Sequence, residues 1–234
     1  MKKSRIWELD ALRGVCILGM ILVHGVLDVL GFGNTGIVWF DFIRTWGSVV
    51  FILLSGCCVT LGHHPVKRGL IVFGCGMVCT LVTFALVRFG FFGGGMIIRF
   101  GILHCLGLCM LSWVVFSNFP TWALAVTGAA LVALGIYFDG LTTQLSWLFP
   151  LGITRPDFSS SDYFPLLPNL GYFLLGALLG RTVYRQKRSL LPRVNPQLLP
   201  IRALSWCGRQ SLLIYLAHQP ILYAIFEGVA WIRG

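Results

Sequence analysis

The sequence predicts an all-α fold: a polytopic transmembrane helix bundle of seven spans with a cytoplasmic N-terminus. Three observations predict it. First, 57% of the 234 residues are hydrophobic and only 11% are charged, whereas a soluble domain carries about a quarter charged residues. Second, apolar runs long enough to cross a bilayer alternate with short polar segments, and the mean hydropathy is +0.84. Third, the basic residues segregate. Lys2, Lys3, Arg5 and Arg13 lie before or at the start of the first span, Lys67 and Arg68 follow the second, and Arg181, Arg185, Lys187, Arg188, Arg193, Arg202 and Arg209 lie before or at the start of the last. The acids Asp28, Asp41, Asp139, Asp157, Asp162 and Glu227 fall mostly on the other side. This is the positive-inside pattern. It accounts for the net charge of +10 as topology and excludes nucleic acid as a partner.

The whole chain, residues 1–234, reads as a single integral membrane domain. Residues 11–30 form the first span. Arg13 and His24 inside it, and the lack of a small-residue cleavage site, mark it as retained rather than removed as a signal peptide. Residues 31–44 are an outer loop or interfacial stretch, and Trp39 in it and Trp46 just after it suit an aromatic belt. Residues 45–62 are the second span, and His63-His64-Pro65 is an inner turn. Residues 69–88 are the third span. The Gly-rich stretch between Arg88 and Arg99 is an outer hairpin or a re-entrant loop. Spans at 100–117 and 122–138 flank a tight turn at Asn118–Thr121. Residues 139–165, broken by three prolines, form an outer loop with a half-helix at 144–151. Residues 166–180 return inward, 181–204 form a basic inner loop, and 207–231 are the last span. Eight spans result if 142–153 crosses as well.

The candidate chemistry centres on the first span. Arg13 and His24 are eleven residues apart, which returns to one helix face about 16 Å along the axis. Asp28 extends the stripe and at i,i+4 can orient the His24 imidazole. An ionisable group at membrane depth is a functional hypothesis by default. Arg13 offers a planar donor to a phosphate or a carbonyl, or pairs with Asp10. Arg99, His104, Asp162 and His218 supply further polar groups near apolar segments, each with a structural alternative: Asp162, for example, can cap the helix that follows it. Lys67, Arg68 and Arg181 lie on the basic inner surface, where some can bind the phosphates of a nucleotide-like cofactor. The eight cysteines lie mainly within spans and have no zinc or redox spacing, so they read as small packing residues. His63 and His64 lack further ligands nearby, and no metal site is expected.

Four stretches together resemble a known family. They are Glu8-Leu-Asp-Ala-Leu-Arg13-Gly14, Arg99-Phe-Gly-Ile-Leu-His104, Asp162-Tyr-Phe-Pro-Leu-Leu-Pro168 with Gly171-Tyr-Phe-Leu-Leu-Gly176, and Gly208-Arg-Gln-Ser-Leu-Leu-Ile-Tyr-Leu-Ala-His218-Gln-Pro220. They are similar to bacterial members of the heparan-alpha-glucosaminide N-acetyltransferase catalytic-domain family. Arg13 with His24, and Tyr215, His218 and Pro220 in the last span, also resemble the wider acyltransferase-three superfamily. Lysosomal members of the closer family are associated with a catalytic His after the first helix. Residues 25–60 contain none, so His24 takes that place through the wider resemblance.

The resemblance implies a multi-pass acyltransferase of the cell membrane, the cytoplasmic membrane if the chain is bacterial. It would take an acyl group, normally acetyl from acetyl-CoA, and pass it to an amine or hydroxyl of a sugar or glycan on the far side. His24, Asp28 and Arg13 would be catalytic. Arg13, Lys67, Arg68 and Arg181 would bind the donor, and Arg99, His104, Asp162 and His218 the acceptor. Expected partners are membrane lipids, acyl-CoA and the glycan acceptor, with a homo-oligomer allowed. The alternative is a small proton-coupled transporter or flippase of a sugar or lipid-linked substrate, using the same His and Arg groups as a gate.

Overall fold

The computed structural model describes residues 6–30 and 38–233. Those residues form eight helices: α1 (Trp7–Leu30), α2 (Val38–Leu61), α3 (Pro65–Arg88), α4 (Ile102–Phe116), α5 (Thr121–Phe138), α6 (Leu166–Thr182), α7 (Leu199–Arg209) and α8 (Ser211–Arg233). Among the described residues there is no β-strand, only two isolated bridges. Five helices, α1, α2, α3, α5 and α8, carry stretches long and apolar enough to cross a membrane. Their outer faces are apolar as well: Leu70 and Leu81 on α3, Val126 and Ile136 on α5 and Ile225 on α8 are all exposed. Such surface suits lipid rather than water.

Several predicted boundaries move. α1 begins at Trp7, four residues before the expected start, and α2 at Val38 rather than residue 45, which places Trp39 and Trp46 on a helix. The rest of the expected outer loop, residues 31–37, lies outside the described residues. The expected spans at 100–117 and 166–180 correspond to α4 and α6, which have 15 and 17 residues. At 1.5 Å per residue these are about 22 and 26 Å long, shorter than a hydrocarbon core of about 30 Å. The half-helix expected at 144–151 is a 3-10 segment over Ser146–Leu151, too short to span. The Gly-rich stretch after α3 makes a brief 3-10 turn at Gly94–Met96. The expected inner loop at 181–204 and the start of the last span instead hold a separate amphipathic helix, α7, which ends at Arg209 just before α8.

The chain divides into two compact units: Met1–Phe51 with Gln186–Gly234, and Ile52–Arg185. In the first, α1 meets α7 through glycine. A Cβ on Gly14 would lie 2.0 Å from the Leu204 carbonyl oxygen, and one on Gly208 would lie 1.7 Å from that of Asp10. Only a residue without a side chain lets the two backbones approach so closely. α8 runs parallel to α1: Arg13 meets Ser211, His24 meets Gln219, and Gly25 lies 3.7 Å, as a built Cβ, from Leu222. Val23 and Phe40 are buried between α1 and α2, with Val26 and Ile43 packed against them.

In the second unit α4 is apolar all round and is the most enclosed helix. Cys105 and Cys109 are fully buried, and Leu103, Leu106, Met110 and Trp113 are nearly so. An evenly apolar helix has no polar face to show to solvent and belongs inside a bundle. α3 and α6 pack around it, and α5 packs on α6. The α2–α6 contact is again made by glycine: a Cβ on Gly56 would sit 1.9 Å from the Phe173 carbonyl oxygen, and one on Gly176 would sit 2.0 Å from that of Leu53.

Candidate active site

The expected site residues fall into both units. Arg13, His24, Asp28 and His218 belong to the first, and Lys67, Arg68, Arg99, His104, Asp162 and Arg181 to the second.

In the first unit the parallel helices α1 and α8 each present polar groups at two levels. At their N-terminal ends the Arg13 guanidinium donates to Ser211 Oγ at 2.8 Å and lies 5.8 Å from the Phe51 ring centroid. Arg13 Nε is buried and has no hydrogen-bond partner among the described residues. A guanidinium N–H in that state is a donor held ready for an anion or a carbonyl. Three turns deeper, the His24 and His218 rings lie with centroids 5.1 Å apart, and Gln219 Nε2 lies 2.9 Å from His24 Nδ1. His218 is buried, and its Nδ1 meets the backbone carbonyl of Tyr215. The helical period produces both levels. Ser211 and His218 are seven residues apart, two turns on one face of α8, just as Arg13 and His24 are eleven apart on α1. The Asp28 side chain, expected to orient His24, lies outside the described residues. The partner seen on His24 is Gln219. Sequence reasoning did not single out Ser211 or Gln219, although both stand inside the motif from Gly208 to Pro220.

In the second unit Arg99, His104, Asp162 and Arg181 are engaged by the fold. His104, in the first turn of α4, accepts at Nδ1 from the Gly101 N–H at 3.2 Å. Its Nε2 lies 3.3 Å from Thr80 Oγ1, which donates to the Ile98 carbonyl at 2.7 Å. The neutral tautomer with the proton on Nε2 completes this chain, and both ring nitrogens are used. The ring stacks on Phe100 and meets Phe73 edge-on, and Gly76 leaves room for it.

Asp162 Oδ2 accepts from the Ile102 N–H at 3.0 Å. It therefore caps α4, sixty residues back in the chain, rather than the following helix. Next to it Ser160 receives the Arg99 N–H at 3.1 Å and Arg99 Nε donates to the Ser159 carbonyl at 3.1 Å, so the two motifs clasp each other. Tyr163 donates to the Phe149 carbonyl at 2.5 Å, and burial pushes its hydroxyl up to about 12. Arg181 donates to the carbonyls of Ser117 and Phe119, and its guanidinium lies 4.9 Å from the Trp113 ring centroid. It thus closes the C-terminal end of α4, where a cation is favoured. Lys67 is exposed and Arg68 half-buried, both in the first turn of α3. Among the described residues no group of three or more His, Cys, Asp or Glu is placed to hold a metal ion.

Comparison with curated proteins and with solved structures gives no match. Comparison with family models gives one that covers nearly the whole chain: residues 5–220 match the model described as "Heparan-alpha-glucosaminide N-acetyltransferase, catalytic". The match takes in all four motifs and both levels of the α1–α8 pair. The chain belongs to the heparan-alpha-glucosaminide N-acetyltransferase catalytic family, a family of membrane acetyltransferases.

Proposed function

We propose that the chain transfers an acetyl group from cytoplasmic acetyl-CoA to the amine or hydroxyl of a sugar on the far side of the membrane. The observation that carries this reading is the pair of levels on α1 and α8: an arginine with an open buried donor at one, two facing imidazoles at the other. Thioester acyl transfer needs an anion site for the donor, a group to take the acceptor's proton, and stabilisation of the carbonyl oxygen as it gains charge. Arg13 and His24 are separated by about 16 Å along one helix, so they do not act on the same atom. Arg13, with the Ser211 hydroxyl beside it, suits a CoA phosphate. The imidazole pair suits the thioester at the other end of the pantetheine arm. His24 and His218 divide the chemistry there: one imidazole moves the proton from the acceptor nitrogen or oxygen, as its bond to the acetyl carbon forms, to the CoA sulfur as the C–S bond breaks, and the other donates to the carbonyl oxygen while it carries charge.

The parallel run of α1 and α8 supports the expected topology. Two parallel spans need an even number of crossings from the start of one to the start of the other, hence an odd total. The basic N-terminal segment favours a cytoplasmic start. Lys67 and Arg68 remain candidates for further phosphate contacts. For Arg99, His104, Asp162 and Arg181 we favour roles in holding α4, because their hydrogen-bonding groups are engaged with backbone or with one another's motifs.

The test is a transfer assay in lipid nanodiscs with labelled acetyl-CoA and glucosamine, alongside calorimetric titration with acetyl-CoA. Binding in the micromolar range together with acetylated sugar supports the reading. Sugar flux across vesicles with no acetylated product, from a folded sample, overturns it in favour of a transporter.

A further inference from the structure

We propose that His24 and His218 are held in opposite tautomers, His24 with its proton on Nε2 and His218 with its proton on Nδ1, and that Gln219 is the positioning residue that sets the first. Each half follows from what the partner atom can do. The atom facing His24 Nδ1 is the Gln219 amide nitrogen, at 2.9 Å. With the amide turned this way its nitrogen donates and Nδ1 accepts, which puts the imidazole proton on Nε2. The atom facing His218 Nδ1 is the Tyr215 carbonyl oxygen. A carbonyl only accepts, so Nδ1 carries the proton and Nε2 the lone pair. The rings lie with centroids 5.1 Å apart. The pair therefore presents one ring N–H and one ring lone pair at the same level, where two histidines in the same tautomer would present two of a kind.

This division of labour rests on the acyl-transfer reading for its chemical use. His218 Nε2 takes the proton that the acceptor loses as its bond to the acetyl carbon forms. It returns that proton to sulfur as the C–S bond breaks and the electron pair leaves with the sulfur. His24 Nε2–H donates to the carbonyl oxygen while that oxygen carries charge. Gln219 touches neither substrate; it acts through His24. Its place beside His218, ahead of Pro220, puts it within reach of α1 at the level of His24.

The experiment is nitrogen NMR of the full chain, labelled with nitrogen-15 at histidine, in nanodiscs at pH 8 without substrate. His24→Ala and His218→Ala spectra assign the two signals. The expected result is an Nε2–H pattern for His24 and an Nδ1–H pattern for His218. Gln219→Glu, whose ionised carboxylate only accepts, is expected to move the His24 proton onto Nδ1. Gln219→Met, which matches the length without any donor, is expected to give His24 a mixture of tautomers. In the transfer assay both variants are expected to lower kcat by about 10²-fold, the scale of a misplaced catalytic proton, with KM for acetyl-CoA unchanged. The same tautomer on both histidines, or a His24 pattern that neither Gln219 variant alters, overturns the proposal. The NMR result is independent of turnover, so a chain that shows both tautomers but no acetyl transfer removes the proposed function and leaves the Gln219 assignment standing.

Discussion

His104 and His24 are both histidines within apolar helices, and the fold treats them differently. His104 uses Nδ1 for the Gly101 N–H and Nε2 for Thr80, with phenylalanine rings on two sides. Among the described residues His24 has one ring nitrogen engaged, by a side chain rather than by backbone, and a second imidazole beside it. A histidine whose two nitrogens both close backbone-linked networks holds helices in place. A histidine oriented through one nitrogen leaves the other available. The same contrast separates the arginines. Arg181 donates to two carbonyls at the end of α4, while Arg13 shares a hydroxyl and keeps a buried N–H that has no partner among the described residues.

The sharpest way to break the comparison is to truncate both histidines. His24→Ala is expected to lower acetyl transfer by about 10²- to 10³-fold, the usual cost of removing one donor to a developing oxyanion, with little change in thermal unfolding. His104→Ala is expected to do the reverse in kind. It leaves the Gly101 N–H unpaired and opens a void under Phe100, for a stability loss of about 2–4 kcal/mol. Denaturation followed by circular dichroism, beside the transfer assay, reads both. A His104→Ala protein that melts normally but fails to turn over would move His104 into the site.

The arginines give the next largest effect. Arg13→Lys keeps the charge and loses the planar fork. It is expected to raise KM for acetyl-CoA by about tenfold, the worth of roughly one charge-assisted hydrogen bond, with kcat little changed. Arg181→Lys is expected to leave KM alone and to lower the melting temperature by a few degrees. Exchange of these two outcomes would place the phosphate at the α4–α5 turn.

The smallest effect concerns the loop clasp. The Tyr163 hydroxyl, pushed up to about 12 from 10.0, keeps its proton in the folded chain after the unfolded chain has lost it. Its contribution to stability is therefore complete below pH 10 and lost as pH rises toward 12. Absorbance titration of the tyrosines in wild type and Tyr163→Phe checks this: the variant should lack the highest-pH step. Its melting temperature should change less between pH 9 and 11 than that of the wild type.

The fold was legible in the sequence wherever its cause is local. Hydropathy and charge placement depend only on neighbouring residues, and they located all five of the long apolar helices. They missed α7, whose residues alternate Arg, Ser and Gly with Leu and Trp and read as loop beside the long apolar runs. Of the candidate site, the face shared by Arg13 and His24 was legible because 3.6 residues per turn is a property of the chain alone. The motif around His218 was legible as a motif, and Gln219 inside it was passed over because nothing in its neighbourhood names its partner.

What the sequence by itself determined is the membrane class, most helix positions and the stripes along single helices. The tertiary structure decided which groups are used up. The partners of Asp162 and Arg181 lie sixty or more residues away, and that of Gln219 lies 195 away. It also decided that Gly14 and Gly208 face each other, which lets α7 press its backbone onto α1 just before α8 begins. A hydrogen bond or a close backbone contact joins residues that only the folded chain brings together, and no helical period or residue count specifies that meeting.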